Sequence, residues 1–365
     1  LVNASQSLLI EEMHMRRTLA IAAAVAVAAA SVAIASPAQA KESLPGAGAT
    51  FPKVFIDACL ADFNAQNPNF TVTYAGGGSG KGRGDFAKGT ITWGMSDSPY
   101  AKPADEPKFG WEYVPVVGGA INIPINLKNP ATGRTLGSSI VLPQGTLAKI
   151  FAGSITTWNH PEIAKANPNF KLPATPIKVV YRSDSSGTSQ NFLGYLNAWA
   201  PTIWTKVQGD FGTAFPGGTP PASSIAGNGN AGVLTNVVAN DGAIGYVDLG
   251  DAKGYPSARV VNAAGEAIAP SVASAKKNLA FQTNVNEQGL VLLDYKLNKP
   301  GIYPLSIFSY GLVRTDGKGP NGLGVRQWMD YLLAKCGPTR AANLGYVPLG
   351  GEVLAKARQN VLLIK

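Results

Sequence analysis

Four short stretches carry residue types suited to gripping a small anion. The first is YAGGGSGKGRGDF, Tyr74 to Phe86, where a strand-like FTVTY runs into glycines around Ser79. A glycine turn after a strand exposes successive N–H groups, and Ser79 adds a hydroxyl donor. A nucleotide P-loop is excluded. Aligning G-x-x-x-x-G-K-[ST] on Gly80-Lys81 puts Ala75 at the first glycine and Gly82 where the metal-binding hydroxyl belongs. The dinucleotide pattern G-x-G-x-x-G fails as well, because Lys81 occupies its last position. Taken alone, the stretch reads equally well as a plain flexible loop, and Arg83-Gly84-Asp85 as a chance tripeptide.

The second stretch, YRSDSSGTSQNF, repeats the logic: strand IKVVY, then Arg182, then Ser185-Ser186-Gly187-Thr188 at the start of a helix. Free N–H groups at a helix N-terminus attract anions, and Arg182 offers a planar fork suited to oxyanions. Asp184, two residues on, can hold that guanidinium in place. The third, GATFP, is another helix N-terminus, with Thr50 as hydroxyl donor. The fourth, WGMSDSPY, brings an acid, Asp97, in a turn ended by Pro99. Alone, Asp97 reads as a turn or N-cap residue. Beside an anion it would repel, unless the anion carries a proton for it to accept. Phosphate does so near neutral pH and sulfate does not; acceptor facing acceptor in a buried site discriminates by about 10⁴–10⁵.

The elements around these stretches alternate. KVFIDACLADFNAQ places Ile56, Cys59, Leu60 and Phe63 on one helical face, with Pro52 at its start. GAINIPINL, IKVVYR and GAIGYV read as strands; TLAKIFAG, TSQNFLGYLNAW and AGVLTNVVAN read as helices. Such alternation predicts α/β layers with a largely parallel sheet. The chain has 365 residues, enough for two domains, with 45% hydrophobic and 15% charged residues, which predicts a globular protein with sizeable cores. Its net charge of +9 is scattered, with no run of five or more cations, which argues against a nucleic-acid partner. Met15-Arg16-Arg17, an alanine-rich apolar run and Ala38-Gln39-Ala40 make a secretory leader covering 1–40, started at Met13 or Met15 and cleaved after Ala40. No cysteine stands at the cleavage point for a lipid anchor, so a periplasmic or secreted protein is expected. Its two cysteines, Cys59 and Cys336, form either one disulfide, as the compartment favours, or two buried thiols.

Catalytic constellations are missing. After residue 40 the only histidine is His160, in a loop; no G-x-S-x-G elbow occurs; and no His, Cys or carboxylate cluster has metal spacing. The six tryptophans are dispersed, as core residues would be. A non-enzymatic binder without metal or cofactor is the expectation.

GAGATFP, the GGGSG loop, SDSP and RSDSSGTS, in that order, resemble the substrate-binding component of the high-affinity phosphate ABC transporter (PstS type). IFAGSITTWNHPEIAKANPNFKLP, DGAIGYV and GIYPLS extend the resemblance across nearly all of 44–350. It implies an α/β, two-lobed periplasmic-binding-protein fold (type II-like), each lobe a β-sheet flanked by helices, with two crossover hinge segments near Gly118–Ile121 and Ile302–Leu305. Lobe one would be 41–120 plus 303–365, and lobe two 121–302. The implied phosphate ligands are Thr50 and Phe51 (backbone N–H), Ser79, Asp97, Arg182, Ser186, Gly187 and Thr188, with Asp184 positioning Arg182. Cys59 and Cys336 would share a lobe, so a bridge is feasible. The implied role is a monomer that captures inorganic phosphate and delivers it to membrane permease subunits. A binder of sulfate or a phosphorylated metabolite, or a secreted phosphatase on the same scaffold, are the alternatives. Lys81 and Arg83 depart from the family pattern and read either as an added positive field or as solvated charges.

Overall fold

The computed structural model describes residues 41–365; the leader and cleavage site expected within 1–40 lie outside the described residues. FTVTY forms the strand Phe70–Ala75, burying Phe70 and Val72 on one face as its alternation requires. It is the edge of a seven-stranded sheet ordered Val247–Asp248, Trp111–Asn122, Ser306–Arg314, Trp93–Ser96, Glu42–Gly48, Phe70–Ala75, with Tyr346–Val347 also pairing onto Trp111–Asn122. A four-stranded sheet runs Ile125–Asn126, Ala243–Ile244, Lys178–Arg182, Ile225–Gly227, and a three-stranded one Ala267–Ile268, Arg259–Val261, Val141–Leu142. Helices flank these sheets, so the chain is a two-lobed α/β protein of the type II binding-protein class.

The large sheet is mixed, not largely parallel. Glu42–Gly48 pairs parallel with both neighbours, but Ser306–Arg314 runs antiparallel to Trp93–Ser96 and to Trp111–Asn122. The cause is the path of the chain. Trp111–Asn122 leads directly to Ile125–Asn126 in the four-stranded sheet, and Ser306–Arg314 brings the chain back beside it. A chain that leaves along one strand and returns along its neighbour must pair antiparallel. Both strands are buried almost throughout, so neither shows the alternation that marks a half-exposed strand.

Packing explains one of the glycines in GKGRG. A Cβ on Gly82 would lie 2.5 Å from the Met95 carbonyl oxygen and 2.7 Å from Gly48 Cα. The helix Ser79–Ala87 therefore rests its backbone directly on two strands. Beneath them Trp93 stacks on Tyr74 (5.2 Å between centroids) and meets Trp328 (5.7 Å), which meets Phe63 through Tyr331 and directly. The buried rings among these, Trp93, Trp328 and Phe63, each contribute about 1.5–3 kcal/mol or more. Trp111, Trp158 and Trp204 are buried as well and Trp199 only partly, so five of the six tryptophans fill cores. Cys59 and Cys336 are joined in a disulfide, Cα atoms 5.8 Å apart, fastening the helix Lys53–Gln66 to the π-helical segment Leu332–Cys336. In the chain-entropy account, closing so long a loop stabilises the fold by roughly 5–6 kcal/mol. His160 caps the short helix Pro161–Ala166, its Nδ1 accepting from the Glu162 N–H.

Candidate functional site

Three turns converge because each follows the carboxyl end of a strand. Thr50 and Phe51 follow Glu42–Gly48, Asp97 follows Trp93–Ser96, and Arg182 ends Lys178–Arg182. Open α/β sheets place ligands at such ends. Ser79 opens the helix Ser79–Ala87, and Ser186 caps Gly187–Trp199, its Oγ accepting from the Ser189 N–H at 3.1 Å. That bond leaves the Ser186 hydroxyl proton free to donate elsewhere, and first-turn amides such as those of Gly187 and Thr188 have no carbonyl one turn back.

Asp97 is the centre of the cluster and only 3% exposed. Its N–H donates to Ser79 Oγ at 3.1 Å. Ser309 Oγ donates to Oδ1 at 2.7 Å, while Ser79 Oγ and Thr188 Oγ1 each sit 3.4 Å from Oδ2. One carboxylate oxygen is thus firmly held and the other has only two long contacts. Burial pushes the Asp97 carboxyl up to about 6, against the opposing pull of the Ser309 bond, the Arg182 charge and the Ser79 and Thr188 hydroxyls. The opposite lobe closes on this point. Gly80 N–H donates to Ser185 O at 2.9 Å, and Asn191 Nδ2 donates to Asp97 O at 2.7 Å.

Arg182 is 1% exposed. Its Nε donates to Asp184 Oδ1 at 2.7 Å and its Nη2 to Oδ2 at 2.5 Å, while Nη1 donates to Asn230 Oδ1 at 2.6 Å. A guanidinium has five N–H donors. Three are engaged, leaving one on each Nη for a ligand. Burial raises the Asp184 carboxyl, but the Arg182 bonds and charge outweigh it, and the net position is below the usual carboxylate range.

Asn230 links this fork to the third turn, its N–H donating to Thr50 Oγ1 at 3.3 Å. Its Nδ2 donates to Asp248 Oδ2 at 2.6 Å. Tyr346 OH lies 2.8 Å from both Phe51 O and Asp248 Oδ1. One hydroxyl proton cannot serve both acceptors. Burial, and then the Asp251 carboxylate, push Asp248 well above its ordinary value. The Phe51 amide has no acceptor among the described residues.

The structure therefore brings Ser79, Asp97, Gly187 and Thr188 into direct contact range, ties Arg182 to Asp184, and connects Thr50 to Arg182 through Asn230. Ser309, Asn230, Asn191, Asp248 and Tyr346 were not singled out from sequence. Asn230, in GNGNAGV at a helix start, carried a signal of the same kind as Ser186; the others lie in ordinary strand or helix contexts. Lys81 is exposed and paired with Asp85, whereas Arg83 is buried. Chemically, the assembly offers hydroxyls, amides and a guanidinium as donors, and one carboxylate oxygen as acceptor. It suits an oxyanion that retains a hydrogen.

A model described as a PBP superfamily domain matches residues 33–335. Phosphate-binding protein PstS 3 of Mycobacterium leprae is 32% identical over 325 residues, spanning 85% of this chain and 83% of that protein. Phosphate-binding protein PstS of Xylella fastidiosa is 32% identical over 313 residues, spanning 84% and 81%. Among solved structures, a periplasmic phosphate-binding protein bound with phosphate, PfluDING, superposes with a TM-score of 0.69 at 26% identity, covering 87% of this chain and 93% of that one.

Proposed function

Because the chain belongs to the PBP superfamily, we propose that it is an exported receptor that binds inorganic phosphate between its lobes and passes it to an ABC permease without chemical change. The observation that carries this reading is Asp97, a buried carboxylate whose Oδ2 is set among hydroxyl donors. A ring of donors alone would take any oxyanion. A single acceptor selects one that still has a hydrogen to give, because a fully ionised competitor leaves two buried acceptors unpaired. Relatives over most of the chain carry phosphate-binding names, which supports phosphate over a larger phosphorylated ligand. Residues 13–40, with the pattern of a secretory leader, support action outside the cytoplasm. Titration calorimetry at pH 8 is expected to show one phosphate per chain, with sulfate weaker by several orders of magnitude. Sulfate bound as tightly as phosphate rejects this reading, and so does steady turnover of an aryl phosphate that is lost with Thr188→Ala.

Closure of the lobes gives a further prediction. A Cβ on Gly187 would lie 2.4 Å from Ser79 Oγ and 2.8 Å from Asp97 Cβ. Gly187→Ala is expected to cost about 1–3 kcal/mol of binding through this overlap, and to lower the melting temperature less without phosphate than with it, since any opening of the lobes would relieve the overlap. Calorimetry and thermal unfolding together check this. A binding constant unchanged by the alanine means that Gly187 and Ser79 do not meet in the bound state.

A further inference from the structure

Arg83 is the buried charge that the binding site leaves unused. It is 8% exposed, and among the described residues no carboxylate forms an ion pair with it. Burying a cation without a paired acid is costly, so its other partners must compensate. Nη1 donates to Ser98 Oγ at 2.7 Å, to Ser96 Oγ at 3.0 Å and to Ser98 O at 3.3 Å. Ser96 Oγ in turn donates to Ser98 O at 2.6 Å. The guanidinium carbon lies 5.9 Å from the centre of the Tyr100 ring, a cation–π distance, and Tyr100 OH donates to Arg83 O at 3.0 Å. Every side-chain hydrogen bond of Arg83 thus goes to a residue next to Asp97. Ser79 and Arg83 are four apart on one helix, so one face of that helix touches Asp97 with its first residue and clamps both flanks of Asp97 one turn later.

We propose that Arg83 is the positioning residue for Asp97: it fixes the Ser96–Ser98 turn so that Oδ2 faces the cleft, and it sets a positive charge within the field of that carboxylate. Its consequence for ligand choice rests on the reading of Asp97 as the acceptor for a protonated oxyanion; its effect on the carboxyl itself does not. The other charged or titratable groups whose fields meet Asp97 are Arg182 from the opposite lobe and Tyr74, Tyr310 and Tyr346 from the surrounding strands. Burial raises all three tyrosines, so they stay neutral across the physiological range. Around Arg83 stand Tyr113, Tyr100, Asp97 and Asp105. The sign follows. Asp97 is ionised above about 6 and neutral below it. Taking away a nearby positive charge favours the neutral form, so the midpoint rises. A neutral Asp97 can donate to a fully ionised oxyanion, so rejection of sulfate should then fail at a higher pH.

The test is a ¹³C carboxyl titration of Asp97 in the ligand-free full chain, comparing the parent with Arg83→Met and Arg83→Lys. In Arg83→Met the midpoint is expected to rise measurably, while Arg83→Lys stays near the parent. A folded Arg83→Met with an unmoved midpoint overturns the proposal. Ser98→Ala keeps the charge but cuts the 2.7 Å bond. It is expected to lower phosphate affinity several-fold, and its unchanged affinity overturns the positioning role even if Arg83→Met does not fold. Sulfate calorimetry from pH 5 to 8 separates the two readings. If the Asp97 midpoint moves but the parent never distinguishes sulfate from phosphate, the function assigned above fails and the role of Arg83 stands.

Discussion

Replacing Arg182 with alanine is expected to weaken phosphate binding by about 2–5 kcal/mol, a loss of roughly 30- to 4,000-fold. The loss has two parts. The first is the pair of N–H donors that Arg182 keeps for the ligand after engaging Asp184 and Asn230. The second is what remains behind. Asp184 is held below its ordinary range, against burial, by the Arg182 bonds and charge. Without the guanidinium it presents an anionic carboxylate towards the cleft, still held by the Gly229 N–H at 3.0 Å, and repels the ligand that Arg182 attracted. Arg182→Lys should not rescue binding, since a single ammonium cannot span both Asp184 oxygens, Asn230 and an oxyanion at once. Calorimetry on both variants checks this; affinity within a few-fold of the parent for Arg182→Ala would move the site elsewhere.

The parts of this site that the sequence exposes are those where local structure and chemistry coincide. Ser79, Ser186 and Thr188 lie where a strand breaks into a glycine or serine turn and a helix begins, so the residue order alone marks a donor-rich point. Arg182 and Asp184, two residues apart, could be read as a pair before any fold was known. Ser309 could not. It sits in the strand Ser306–Arg314, whose burial on both faces hides the period of two, and it reaches Asp97 across 212 residues. Tyr346 and Asp248 meet across 98 residues, for a reason set only by the pairing of both their strands onto Trp111–Asn122. Arg83 shows a different limit. Its charge and its place beside glycines suit a solvated surface, and only the close approach that Gly82 permits brings that helix low enough to bury it. For the cysteines, composition left a bridge and free thiols both open, and the register of two helical segments brings them together.

Asp97→Asn is expected to let sulfate into a site that the parent closes to it, narrowing the preference for phosphate by about three powers of ten or more out of the 10⁴–10⁵ that an unpaired buried contact can supply. The substitution is isosteric, so closure of the lobes is preserved. The amide oxygen can take the place of Oδ1 and still accept from Ser309 Oγ, which directs the NH₂ group to the position of Oδ2, between Ser79 and Thr188. There a donor faces the ligand instead of an acceptor. Phosphate loses little, since it can turn an unprotonated oxygen to the amide; sulfate gains a hydrogen bond where it had met a carboxylate. Acid should reproduce the change in the parent. Asp97 sits near 6, so as pH falls through that value the carboxyl gains a proton, becomes a donor and loses its power to exclude sulfate, whereas the asparagine variant has no such transition. Sulfate titrations of both proteins between pH 5 and 8 should therefore converge at the acid end and diverge at the alkaline end. Parallel curves, or rejection of sulfate undiminished in the variant, would mean that the hydrogen carried by the ligand is read by some group other than Asp97.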